Sequence, residues 1–226
     1  MSLEIFTELE QGGPEWLAAR CGIPTASVMG QLITPSTVKV AKNDYSRGLT
    51  ATLVAERITG HVEPMQVSQA MMRGQLDEPF ARDAYSEHHA PVEEIGFMVR
   101  DFGRYRIGYS PDGLVGDDGL IEIKSRAQKK HLQTILADEV PLENMAQIQT
   151  GLFVSGRHWL DYVSFCSGMP LWTKRVEPSE KWFDAIMDAA LTFEANAAEM
   201  LAVYKAATEH LPATERLDHF AELEIY

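Results

Sequence analysis

Asp112, Glu122 and Lys124 are the residues whose types and spacing best suit a chemical task. In the segment Gly119–Ser125 (GLIEIKS), side chains of an extended strand alternate, so Ile121 and Ile123 share one face while Glu122 and Lys124 share the other. The isoleucines are the natural core face, which leaves a carboxylate beside an ammonium opposite them. Earlier in the chain, Ser110-Pro111-Asp112-Gly113 has the residues of a tight turn. A hairpin through the Gly116–Gly119 turn (GDDG) can return the chain and set Asp112 beside Glu122 at a sheet edge. Two carboxylates and a lysine suit phosphodiester hydrolysis. Oxygen ligands hold Mg²⁺ or Mn²⁺, the ion lowers the pKa of an attacking water, and the ammonium orients that water or neutralises the phosphate. Each piece has an ordinary alternative. Asp112 alone is a turn residue, and Glu122 with Lys124 is a strand-face ion pair.

Positioning this trio requires a sheet, and the sequence supplies one between helices. Pro14–Arg20 reads as a short helix, and Thr25 as the N-cap of ASVMGQLI. Tyr45–Ile58 is helical in pattern and Gly60 ends it. A helix from Ser68 to His88 follows, with Ala70, Met71, Leu76, Phe80 and Tyr85 as its apolar side. Segments VEEIGFMV, YRIGYS and GLIEIKS, separated by turns, predict a meander of strands. Helical patterns return at Lys129–Ala137 and Leu142–Val154, two strands follow (HWLDYVSF, LWTKRVEP), and Ser179–Ala207 is an amphipathic helix carrying Trp182, Ile186, Ala189, Phe193, Ala197, Met200 and Tyr204. The tail after His210 is polar. The expected architecture is an α/β fold, a central mixed sheet flanked by helices, in a single domain over residues 1–226.

Composition bounds the rest. With 226 residues, 45% of them hydrophobic and 23% charged, the chain can bury a full core. No apolar run suits a membrane span, and the start lacks a signal peptide's regions, so a cytoplasmic location and no membrane are expected. Two cysteines, Cys21 and Cys166, exclude a four-cysteine zinc or iron–sulfur site, and no histidine spacing suggests zinc. The net charge of −13 opposes nucleic-acid binding unless basic residues are gathered where DNA passes. Lys39, Lys42, Arg47, Arg73, Lys129 and Lys130 are candidates for such a lining, or are ordinary surface charges.

The SPDG…IEIK pattern resembles the PD-(D/E)-x-K nuclease superfamily. Further residues are similar to one branch, the phage lambda exonuclease-like (YqaJ-type viral alkaline exonuclease) family. They are Trp16, Arg20, Gly22, Thr25, Ala26 and Ser27 of a W-x-x-x-R-x-G-x-x-T-A-S opening, Glu78 on a helix before the PDG turn, and Ala146-Gln147-Ile148-Gln149 after the catalytic strand. The resemblance runs from about Trp16 to Val154 and implies a restriction-endonuclease-like core. It also implies a 5′→3′ double-strand DNA exonuclease using two Mg²⁺ (or Mn²⁺) ions, a ring-shaped homotrimer on DNA ends bearing a 5′-phosphate, and a single-strand annealing protein as partner. By the same resemblance Asp112 and Glu122 ligate metal together with the Ile123 carbonyl, and Glu78 holds a second ion or its water. Lys124 is then the catalytic lysine, Gln147 supports it, and Arg20 and Ser27 bind the 5′-phosphate. An independent argument favours the last assignment, because Ser27 lies in the first turn of an expected helix and Arg20 adds a cationic fork. Trp16 is expected to stack on a base or to be buried, and Met71 to wedge between bases or to pack in the core. The family often places a tyrosine just after A-Q-x-Q, where this chain has Thr150-Gly151. Two other readings remain open at this point: a structure-specific or RecB-type endonuclease with the same core, and a non-catalytic acidic protein that mimics DNA or binds a protein.

Overall fold

Apolar spacing sets where the backbone coils and where it extends, and the computed structural model describes the result for residues 2–64 and 67–217. Strand β1 (Ser2–Phe6) leads to helix α1 (Pro14–Arg20), which opens on proline where no helical N–H is needed. Helix α2 (Ala26–Leu32) and the short strands β2 (Ile33–Thr34) and β3 (Lys39–Val40) follow. Helix α3 (Asp44–Thr59) starts on a reciprocal cap between Asn43 and Ser46 and stops at Gly60, whose φ of 65° suits glycine. Helix α4 (Gln69–His88) is capped by the Ser68 hydroxyl. Next come β4 (Phe97–Asp101), β5 (Arg106–Tyr109), β6 (Gly113–Val115) and β7 (Gly119–Ser125). The chain continues through α5 (Gln128–Ala137), α6 (Leu142–Ser155), β8 (Trp159–Phe165), β9 (Trp172–Val176) and α7 (Glu180–Thr208).

The expected meander divides in two. β4 and β5 pair antiparallel and take β1 as a third strand, whereas β6 and β7 begin a separate sheet ordered β6-β7-β8-β9. The break falls at Ser110-Pro111-Asp112, where proline offers no N–H for a ladder. In the second sheet β7 runs parallel to β8 and antiparallel to β6, and β8 is antiparallel to β9. Helices α5 and α6 provide the long crossover that a parallel pair requires. The sheet is therefore mixed, with helices on both faces.

Alternation along β7 decides what each face meets. Ile121 and Ile123 pack with Ala81 and Tyr85 of α4. Leu120 on the other face joins Ile148 and Leu152 of α6 and Ile186 and Phe193 of α7. Glu122 lies on this second face and is 1% exposed, so the polar side of the strand is not a solvated surface as the alternation suggested. Burying a carboxylate there is costly unless partners answer it.

Two apolar stripes differ from expectation. In α4 only Tyr85, with Ala81, is buried, while Ala70, Met71, Leu76 and Phe80 are exposed. The C-terminal half of the helix packs its apolar side on the sheet, whereas the N-terminal half meets β7 through polar contacts of Arg73 and Asp77 with Ser125. In α7, Trp182 to Ala197 are buried but Met200 and Tyr204 lie past the edge of the core. Residues 211–217 are exposed and irregular, and the rest of the expected polar tail lies outside the described residues. Among the described residues, no helix is long and apolar enough to cross a membrane.

Candidate active site

The β6–β7 hairpin creates the first half of the site. β6 pairs with β7 only from Gly113↔Ile121 to Val115↔Gly119, so β7 runs on past its neighbour. The Ile123 N–H has lost its ladder partner there, and Asp112 Oδ2 accepts it at 2.6 Å. A strand residue's N–H and C=O point to the same side, so the Ile123 carbonyl also faces the Asp112 edge. The sequence expectation that the hairpin sets Asp112 against this strand holds, and the contact is to backbone.

Helix α6 builds the second half over the other face of β7. Lys124 Nζ donates to Glu122 Oε1 at 2.6 Å and to Gln147 Oε1 at 3.0 Å, while Gln147 Nε2 donates to the same Glu122 oxygen at 2.6 Å. Glutamate, lysine and glutamine thus form a closed triangle. Among the described residues, Glu122 Oε2 is buried without a hydrogen-bond partner. Burial, then the Asp112 carboxylate, push the Glu122 carboxyl up to about 8 against the opposing pull of Lys124. Burial also raises the Asp112 carboxyl. For Lys124, burial pulls the ammonium down, but Glu122 and Asp112 more than offset it and hold its pKa above the usual lysine value.

A third carboxylate, Glu78, approaches from α4, pushed up to about 7 by burial and by Asp112. Arg82, one turn later, ties it down: its guanidinium binds Glu78 Oε1, reaches Glu94 at 2.7 Å, and donates to the Asp112 carbonyl at 2.9 Å. The sequence reading missed Arg82, although its i,i+4 spacing from Glu78 was a usable signal. Among the described residues, no three His, Cys, Asp or Glu side chains converge at metal-ligating spacing. Glu78 turns to Arg82 instead of closing a three-carboxylate cluster. The donor set of Asp112, Glu122 and the Ile123 carbonyl is nonetheless all oxygen, and the unpartnered Glu122 Oε2 offers a lone pair; both suit a hard cation.

The opposite wall comes from α1 and α2. Trp16 is 8% exposed and donates from Nε1 to Ser110 Oγ at 2.9 Å, so burial, the second of its expected roles, describes it. The Arg20 guanidinium lies 4.2 Å over that ring and donates to Thr25 Oγ1 at 3.3 Å, which contacts Ser27 Oγ at 3.2 Å. Thr25 holds the N-cap position of α2, but its side chain makes no capping bond and serves this hydroxyl pair instead. Arg20 has no ion pair among the described residues, which leaves a cation and two hydroxyls available to an anion.

One cavity of about 500 Å³ joins both walls. Asp112, Glu122, Ile123, Lys124, Gln147, Glu78, Arg20, Ser27, Trp16 and Met71 all line it. Met71 is 40% exposed and does not pack in the core, which removes that alternative. Beside the cavity, Arg73 donates to Ser125, and Arg73, Arg126 and Lys129 line a neighbouring depression. Lys39, Lys42 and Arg47 are exposed on the β3–α3 side, where Arg47 pairs with Asp44.

Residues 15–158 match the YqaJ-like viral recombinase domain. An alkaline exonuclease, LHK-Exo, from Laribacter hongkongensis superposes with a TM-score of 0.78 at 31% identity, covering 88% of this chain and 100% of that one. Its complex with dAMP gives a TM-score of 0.77 at 32% identity, with the same coverage. A phage-related exonuclease from Haemophilus somnus 129PT is similar in fold, at a TM-score of 0.64 and 10% identity over 80% of this chain and 96% of that one. No curated protein sequence matches significantly.

Proposed function

Because this chain belongs to the family of the YqaJ-like viral recombinase domain and is a DNA exonuclease, we propose that it digests the 5′-ended strand of linear duplex DNA. The product is a 3′ single strand suited to recombination. The observation that carries the reading is the shared cavity, which Asp112, Glu122, Lys124 and Gln147 line together with the Arg20 guanidinium. A terminal 5′-phosphate seated on Arg20 and Ser27 places the following phosphodiester toward the carboxylates.

Asp112, Glu122 and the Ile123 carbonyl would hold a divalent ion, Mg²⁺ or Mn²⁺, and Glu78 a second ion or its water. When bound, such ions supply Lewis-acid charge to the phosphoryl oxygens and lower the pKa of the attacking water. The chain's own groups do the rest. Lys124, whose ammonium Glu122 and Asp112 favour, is the donor to the water or the phosphate. Gln147 fixes the direction of that ammonium by holding both Lys124 and Glu122. Trp16 supports Arg20 from below, and Met71 presents an exposed apolar side chain at the cavity wall, where a base of the frayed end would rest.

The same reading includes a ring-shaped homotrimer and a single-strand annealing protein as partner. The ring fits the charge distribution: in a chain of net charge −13, Arg73 and Lys129 lie beside the cavity, and a protein encircling DNA needs little further attraction. The decisive assay compares a 5′-phosphorylated linear duplex with nicked and covalently closed DNA, with Mg²⁺, for wild type, Asp112→Asn and Lys124→Ala. Wild type should digest the linear duplex alone, and both variants should lose nearly all activity with circular dichroism unchanged. Rapid cutting of closed circles would support an endonuclease instead, and full activity in both variants would overturn the assigned centre.

A further inference from the structure

Among the described residues, two buried side-chain polar atoms lack a hydrogen-bond partner: Glu122 Oε2 and the hydroxyl of Tyr109. Both residues line the cavity described above. One is an acceptor; the other is a donor that stays protonated, because burial and the Glu122 and Asp112 carboxylates all oppose its ionisation. Phenylalanine would fill the same volume without a desolvated hydroxyl, so the O–H needs another reason to be there.

The surroundings of the ring argue that its position is set. Tyr109 is the last residue of β5, 1% exposed, and pairs with Met98 of β4. Gly151 of α6 lies against the hydroxyl end: a Cβ at 151 would stand 2.7 Å from Tyr109 Cζ and 3.0 Å from each neighbouring ring carbon. One helical turn earlier, α6 carries Gln147, which holds Glu122 and Lys124. One face of α6 therefore seats the phenol and orients the carboxylate–lysine pair together.

We propose that Tyr109 is a positioning residue whose O–H donates to an oxygen bound to the divalent cation beside Glu122. This inference rests on the metal-dependent reading of the site. The oxygen belongs either to a water of the cation's shell or to the substrate phosphate; either accepts from a neutral phenol. Outer hydrogen bonds of this kind orient a metal's ligands and tune its affinity.

The test uses the full chain with Tyr109→Phe. Mn²⁺ binding is titrated calorimetrically without DNA, then thymidine 5′-monophosphate binding is titrated with Mn²⁺ present. A Kd for Mn²⁺ raised roughly tenfold assigns the donor to a metal-bound water. An unchanged Mn²⁺ Kd with nucleotide binding weakened to the same extent assigns it to the phosphate. In either case the metal-free variant should unfold in urea at the wild-type midpoint or above it, because an unpaired buried hydroxyl has been removed. Both affinities unchanged, or a lowered metal-free midpoint, overturns the proposal. Failure of the wild type itself to bind Mn²⁺ would instead sink the metal-dependent reading beneath it.

Discussion

Alanine at Gly151 and alanine at Gly48 should move stability in opposite directions, and the difference between them measures how tightly α6 is packed on Tyr109. Both glycines lie inside helices, so each exchange gains roughly 0.8–1.0 kcal/mol of helix propensity. At Gly48 nothing lies within 4 Å of the new Cβ, so that gain stands alone. At Gly151 the Cβ lands 2.7 Å from Tyr109 Cζ, and that ring is 1% exposed. Forcing a methyl into such a core costs about 1–3 kcal/mol. The propensity terms cancel in the comparison, leaving that overpacking cost. For a chain of this size it corresponds to Gly151→Ala melting roughly 2–12 °C below Gly48→Ala, at about 2–4 °C per kcal/mol. The measurement is a thermal melt by circular dichroism in chelator at one pH. A Gly151→Ala protein that melts at or above Gly48→Ala refutes the packing argument, and with it the claim that α6 fixes the phenol.

Arg20→Gln should lower the ratio of rates on 5′-phosphorylated over 5′-hydroxyl duplex by roughly 10- to 100-fold, the worth of a charged hydrogen bond of about 1.5–3 kcal/mol; an unchanged ratio removes Arg20 from the phosphate site. Arg82→Gln frees Glu78 and the Asp112 carbonyl, and should cost about 1.5–3 kcal/mol in urea unfolding together with a fall in kcat that exceeds any change in KM. A variant with wild-type stability and kcat would show the arginine to be incidental. Glu78 and Glu122 are raised to about 7 and about 8 from an ordinary 4.5, so the stability they contribute is complete below pH 4.5 and is lost as pH climbs through 7 and 8. The metal-free protein should therefore melt lower at pH 9 than at pH 6, and Mg²⁺ should narrow the gap by binding the ionised carboxylates. Scanning fluorimetry with chelator and with Mg²⁺ reads both effects, and a metal-free melting point that rises across this window contradicts the assignment.

Much of the fold was legible because long elements repeat their pattern. α3, α6 and α7 lie within a few residues of their expected spans, and β7, β8 and β9 match apolar runs bounded by turns. β2 and β3, of two residues each, and β6, of three, are too short for alternation to register, and β1 gave no distinct signal. The division of the meander was hidden for another reason. Neighbouring strands in sequence usually pair, and the residues of β5 and β6 do not record that they belong to different sheets. The site was legible as residue types at set spacings, since all ten expected residues line one cavity.

By itself, then, the sequence determined the chemistry on offer: a turn aspartate, a strand glutamate and lysine, a helical glutamine, and an arginine near two hydroxyls. Those identities are local, and spacing alone ranks them. Only the tertiary structure decided that the Glu122–Lys124 face meets Gln147 of α6 at the wall of a cavity instead of lying on an open surface. That one fact turns an ordinary strand-face ion pair into a buried, pKa-shifted cluster. Arg82 and Tyr109 became visible in the same way, because a guanidinium bridging α4 to the Asp112 turn and a phenol without a partner are relations between elements far apart in sequence. Burial is a property of what covers a residue, and no residue's own sequence neighbourhood states what that will be.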